Sequence, residues 1–123
     1  MKPHPQALPN AENATISDDK FTKYVLNFGS ERGRHKALVF QSALGYNLTN
    51  YEPLVEQLKI GVAKYPYVPG PLDAHGQRYT VDIPVKGPDG EALVTTGWIV
   101  RPGSDVPDFV SAYVKKVKGK RDV

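Results

Sequence analysis

A chain of 123 residues, 40% hydrophobic and 24% charged, has material for one globular domain with a modest core and no room for a second. Sixteen Lys and Arg against thirteen Asp and Glu leave a net +3, a balance that admits a polyanionic partner without demanding one. The lack of cysteine excludes disulfides, thiolate metal sites and cysteine nucleophiles. The three histidines, His4, His35 and His75, fall at no metal-ligand spacing, so any chemistry is expected to be metal-free.

Residues 1–14 read as a flexible leader, because Pro3, Pro5 and Pro9 fix three φ angles and only Leu8 offers bulk to bury. The folded domain is then expected over residues 15–118, with a basic tail at 119–123. Ser17, Asp18 and Asp19 open a first helix, in which Phe21, Tyr24, Val25 and Phe28 recur at helical spacing until Gly29. A second helix is expected over about 31–44, with Ala37, Phe40, Ala43 and Leu44 as its buried stripe and Gly45 as its stop. A third spans about 50–65, capped by Thr49 or Asn50, with Pro53 in its first turn and Leu54, Leu58 and Val62 facing inward. Residues 66–76 read as a turn-rich connector, since Pro66, Pro69 and Pro71 disfavour regular structure.

The period then changes from 3.6 to 2. Tyr79, Val81, Ile83 and Val85 alternate with polar residues, Gly87-Pro88-Asp89-Gly90 turns the chain, and a second strand follows over about 91–100. With Lys86 opposite Glu91, the pairing runs Val85 with Ala92, Ile83 with Val94, Val81 with Thr96 and Tyr79 with Trp98. A third strand over about 108–114 carries Val110, Ala112 and Val114 on one face. The expected class is α+β, N-terminal helices followed by an antiparallel β-meander.

Two regions carry chemistry. Arg32, Arg34, His35 and Lys36 concentrate cations and an imidazole at a helix start, where backbone N–H groups favour phosphate. On the sheet, the face opposite the expected core presents Thr80, Asp82, Lys86, Glu91, Thr95, Arg101, Phe109, Ser111 and Tyr113. Hydroxyls, a guanidinium and aromatic rings on one side suit a phosphate and an unpaired base. Trp98 reads as core by its alternation, Asp82 as a neutral surface choice and Ser111 as a hydrogen-bonding group. No run of about 18 apolar residues predicts a membrane span, and no apolar core after Met1 predicts unaided export.

The segments Leu8-Pro-Asn-Ala-Glu-Asn-Ala14, Phe21-Thr22-Lys23-Tyr24-Val25-Leu26-Asn27, Gly33-Arg34-His35-Lys36-Ala37 through Gly45, and Val106-Pro107 to Tyr113 resemble small C-terminal domains of bacterial polymorphic toxins. These include the contact-dependent growth-inhibition (CdiA-type) effectors of the barnase/EndoU/colicin/RelE (BECR) ribonuclease superfamily. The resemblance implies a metal-independent endoribonuclease, directed at transfer RNA, without a cofactor. In its terms His35 is the general acid or base, and Arg34 and Lys36 bind phosphate. Thr95, Ser111 and Tyr113 supply the sheet's catalytic groups, while Arg32, Arg101, Thr96, Trp98, Lys115 and Lys116 contact nucleic acid. It further implies delivery as the tip of a larger secreted or cell-surface effector and action in the target cell's cytoplasm. A cognate immunity protein is the expected partner, a host activating factor a further one, and the membrane none. The chain departs from two-histidine members in lacking a second well-placed histidine. The rival readings are a noncatalytic RNA- or protein-binding module and a toxin with NAD-dependent transferase chemistry.

Overall fold

The computed structural model describes residues 8–20, 25, 26, 29 and 31–118. Helical segments α1 (Asp18–Lys20), α2 (Glu31–Leu44) and α3 (Glu52–Val62) precede strands β1 (Tyr67–Asp73), β2 (Gly76–Gly87), β3 (Gly90–Val100) and β4 (Asp108–Lys118). The sheet order is β1-β2-β3-β4 with every pair antiparallel, so each strand lies beside its predecessor. The class is α+β. No described helix is long and apolar enough to cross a membrane.

The β2–β3 hairpin has the register expected from its turn, with Lys86 opposite Glu91, Val85 opposite Ala92, Ile83 opposite Val94, Val81 opposite Thr96 and Tyr79 opposite Trp98. That register turns Val81, Ile83, Val85, Ala92, Val94 and Trp98 toward the helices. They pack there with Phe40, Ala43 and Leu44 of α2 and Leu54, Leu58 and Val62 of α3. Ala37 is fully buried as well, so the whole expected α2 stripe is inside. The close fit depends on missing side chains. A Cβ at Gly87 would strike the Leu44 carbonyl, one at Gly90 that of Ala43, and one at Gly61 the Ile83 side chain. The Asp89 N–H donates to the Leu44 carbonyl (3.1 Å), so the hairpin turn satisfies an orphan acceptor at the end of α2.

Four expectations are corrected. The turn-rich connector is largely a strand: β1 pairs with β2 from Tyr67 opposite Val81 to Asp73 opposite Gly76, with an irregularity between Pro69 and Leu72. Proline is tolerated because β1 is an edge strand, which need not donate on both sides. Residues 8–14 of the expected leader are packed rather than flexible. A 3-10 turn over Ala11–Asn13 has three residues per turn, which aligns Leu8, Ala11 and Ala14, all buried. Thr15 then forms a parallel bridge to Asp108. The third helix is shorter than expected and starts after Tyr51, because Asn50 spends its side chain on the loop, donating to the Gly45 carbonyl and accepting from the Asn47 N–H. Phe109 faces the core, fully buried, because the register shift between Gly97 and Trp98 leaves Val110 unpaired and reverses the alternation before it.

The first helix is described only over Asp18–Lys20. Phe21, Tyr24 and Phe28 lie outside the described residues, as do residues 1–7 and the tail 119–123, while Val25 and Leu26 are buried.

Because β1 pairs only as far as Val81, the rest of β2 has an edge without a strand neighbour. Gln57 of α3 covers part of it. Its Nε2 donates to the Lys86 carbonyl (2.7 Å) while its Oε1 accepts the Lys86 N–H (2.8 Å), as a neighbouring strand would. Tyr46 Oη donates to the same carbonyl (2.7 Å). Two residues earlier, on the same side of the strand, stands Pro84, which has no donor to leave exposed.

Candidate functional site: the open face of the sheet

The face of β2–β4 turned away from the helices carries the polar residues that alternate with the core. At its centre Asp82, Thr95 and Tyr113 lie in one row across three strands, and Thr80, Gly97 and Ser111 in the next. Asp82 is the hub of the first row. One carboxylate oxygen accepts the Thr95 hydroxyl (2.8 Å) and the other the Lys115 ammonium (2.9 Å). Partial burial, the largest single influence, pushes the Asp82 carboxyl up. The Lys115 and Thr95 hydrogen bonds and the Lys115 charge outweigh it, and the net direction is below the usual carboxylate range. Lys115 is raised reciprocally, mainly by its hydrogen bond to Asp82. Lys115 is the extra residue of a second register shift, between Leu93 and Val94, which brings position 116 opposite Leu93 on this same face.

Gly97 is the gap in the face. Its φ is not in the left-handed region, and a Cβ there would find its nearest neighbour 3.7 Å away, so neither strain nor crowding requires glycine. The hydroxyls of Thr80 and Ser111 flank it, and neither makes a hydrogen bond among the described residues.

Among the described side chains, Lys36 is the cation of α2 that reaches this face. It precedes Phe40 by one turn and so flanks the buried stripe of α2, on the side toward β4. Its Nζ lies 5.7 Å from the centroid of the Tyr113 ring, within cation–π range, and Tyr113 is 43% exposed. The side chains of His35 and Arg34 are exposed on α2 without a hydrogen bond or ion pair among the described residues. At 100° per residue, His35 lies on the side of α2 opposite the Ala37–Phe40–Leu44 stripe, so it shares the helix turn of Lys36 but not its direction.

The other expected contact residues divide. Arg101, exposed at the far end of the face, pairs with Asp108 (3.2 Å), whose other oxygen accepts the Thr15 hydroxyl (2.9 Å). Arg32 and Lys116 are described as backbone of α2 and β4, and their side chains lie outside the description. Thr96 and Trp98 are corrected: both are fully buried on the helix side. There the indole N–H donates to Thr96 Oγ1 (2.7 Å), Thr96 donates to the Val81 carbonyl (2.7 Å), and Trp98 packs edge-on against Phe109. They hold the core and do not reach a ligand. Asp82 is the residue of this face that sequence reading undervalued. The expected register already set it opposite Thr95, but its second partner depends on a bulge that alternation does not reveal.

Elsewhere, His75 is exposed in the β1–β2 turn, where its N–H donates to Asp73 (2.8 Å). A cavity of about 140 Å³ between α3 and the free edge of β2 is lined by residues including Ile60, Lys64, Tyr65 and Pro84. Among the described residues no group of three or more His, Asp or Glu is placed to hold a metal ion.

No curated protein and no solved structure matches the chain. Residues 7–116 match a family described as a domain of unknown function (DUF6883); the match covers nearly the whole chain, which therefore belongs to that family.

Proposed function

We propose that the domain is a metal-independent endoribonuclease of the BECR type that binds RNA on the open face of its sheet. It acts as the toxin tip of a larger effector on transfer RNA in a target bacterium, and a cognate immunity protein neutralises it. The observation that carries this reading is the contact of Lys36 with Tyr113. It brings Lys36 of the basic run of α2 beside the hydroxyl-bearing sheet face, 77 positions away in the chain, on a surface suited to a phosphate and an unpaired base.

In this reading a base stacks on Tyr113, while Lys36, Lys115 and Arg101 take phosphates. The ribose 2′-oxygen attacks the adjacent phosphorus as His35 accepts its proton. The P–O5′ bond breaks, the leaving 5′-oxygen takes up a proton, and the products are a 2′,3′-cyclic phosphate and a 5′-hydroxyl. Donors aimed at the charged phosphorane are worth roughly 2–4 kcal/mol each. The direction of His35 away from the stripe of α2 favours a second reading, a noncatalytic RNA-binding module using the same face.

Incubation with total bacterial RNA in EDTA, resolved on a denaturing gel beside His35→Ala, separates the two. Discrete transfer-RNA fragments with cyclic phosphate ends, lost in the variant, support the nuclease. Intact RNA that co-purifies with the protein supports the binding module.

A further inference from the structure

Three cations of the open face are engaged by aspartates: Arg78 with Asp73 at 3.4 Å, Arg101 with Asp108 at 3.2 Å and Lys115 with Asp82 at 2.9 Å. The Lys115–Asp82 pair is the shortest of the three and lies in the middle of the face, next to Tyr113. An acid there is the wrong charge for a surface that takes polyanions. Nor does the core require it, since its partners Thr95 and Lys115 are both on the same open side and its side chain is 34% exposed.

We propose that Asp82 is an internal competitor for Lys115, holding the ammonium until a backbone phosphate takes it over. The inference rests on the RNA-binding reading above and adds a restraint built into the same site. The geometry suits an exchange. Each carboxylate oxygen has one donor, so Asp82 stays anchored by Thr95 when Lys115 leaves, and the pair re-forms once the strand departs. Exposed ion pairs are worth a factor of up to about five in an equilibrium. Asp82 therefore weakens phosphate binding by that order without abolishing it.

The test is titration of a short fluorescent 2′-O-methyl RNA, which cannot be cleaved by 2′-oxygen attack, read by anisotropy at fixed salt. Asp82→Asn keeps an acceptor for Thr95 and is expected to bind about two- to fivefold tighter than wild type, while Asp82→Glu stays near wild type. In a Lys115→Gln background Asp82→Asn is expected to change nothing, a dependence that neither a general charge effect nor a structural role would produce. Asp82→Thr, a β-branched residue suited to a strand, repeats the test if the Asn variant does not fold. Unchanged or weaker binding by Asp82→Asn and Asp82→Thr, or an equal gain from Asp82→Asn in the Lys115→Gln background, overturns the inference. If the wild type binds no RNA, or if it binds and neither Lys36→Ala nor Lys115→Gln changes the affinity, the RNA reading itself falls.

Discussion

Lys36 and Tyr113 meet across the edge of the sheet, the ammonium 5.7 Å from the ring centroid, although one belongs to a helix packed on the opposite face. The contact exists because Lys36 sits one turn before the buried Phe40, beside the edge strand that carries Tyr113. Exposed cation–π pairs contribute about 0.5–1 kcal/mol, so Lys36→Ala is expected to leave the fold intact. It should also make the salt dependence of RNA binding shallower by about 0.7 in log–log slope. Tyr113→Phe is expected to bind as wild type and Tyr113→Ala several-fold more weakly. Anisotropy titrations at three salt concentrations check all three.

Gly97 offers a test in which stability and binding move in opposite directions. Glycine weakens a central strand, and a Cβ at this position meets nothing closer than 3.7 Å. Gly97→Val is expected to stabilise the domain by ~0.5–1 kcal/mol, while filling the middle of the open face and weakening RNA binding. Urea midpoints and a binding isotherm on the same sample decide the matter, and a variant that is more stable with unchanged affinity removes Gly97 from the site.

How much of this was legible in the sequence varies with the physics behind each element. The β2–β3 register followed from a single turn, because a two-residue side-chain period fixes every later pair. The burial of Ala37, Phe40, Ala43 and Leu44 followed likewise from helical periodicity. Strand β1 was hidden because its prolines argue against a strand until its place at the edge is known. Phe109 and Lys115 were hidden by bulges, which break the alternation and leave no composition signal. The alignment of Leu8, Ala11 and Ala14 needs a three-residue period, one that searches at 3.6 and 2 pass over. In the site, Thr95, Ser111 and Tyr113 fell on the expected face. The same register turns Thr96 and Trp98 inward, so their burial too was legible in the sequence.

Gln57 completes the edge of β2 with one side-chain amide that both donates and accepts. Gln57→Ala is expected to cost about 1–3 kcal/mol, since the Lys86 N–H loses its partner and one donor to the Lys86 carbonyl is lost. Gln57→Glu retains only the acceptor and should fall between. Denaturant midpoints measure the cost, and light scattering at high concentration reports whether the uncovered edge recruits other chains.

The Asp82 carboxyl is held below its usual range, which sets the sign of a pH effect. A group with a depressed folded-state pKa stabilises the fold above its unfolded value, and that stability is lost as the pH falls through the ordinary carboxylate range toward the folded value. Wild type is therefore expected to lose more stability than Asp82→Asn between about pH 5 and pH 2.5. Lys115→Gln should flatten the same limb. Melting temperatures across that window provide the check.

Whether RNA lies on the open face is decided by amide chemical-shift mapping with a non-cleavable single-stranded 2′-O-methyl RNA. RNA bound there shifts the amides of Lys36, Thr80, Asp82, Thr95, Gly97, Ser111, Tyr113 and Lys115. Shifts confined to the cavity beside Ile60 and Tyr65, or none at saturating RNA, would contradict that placement.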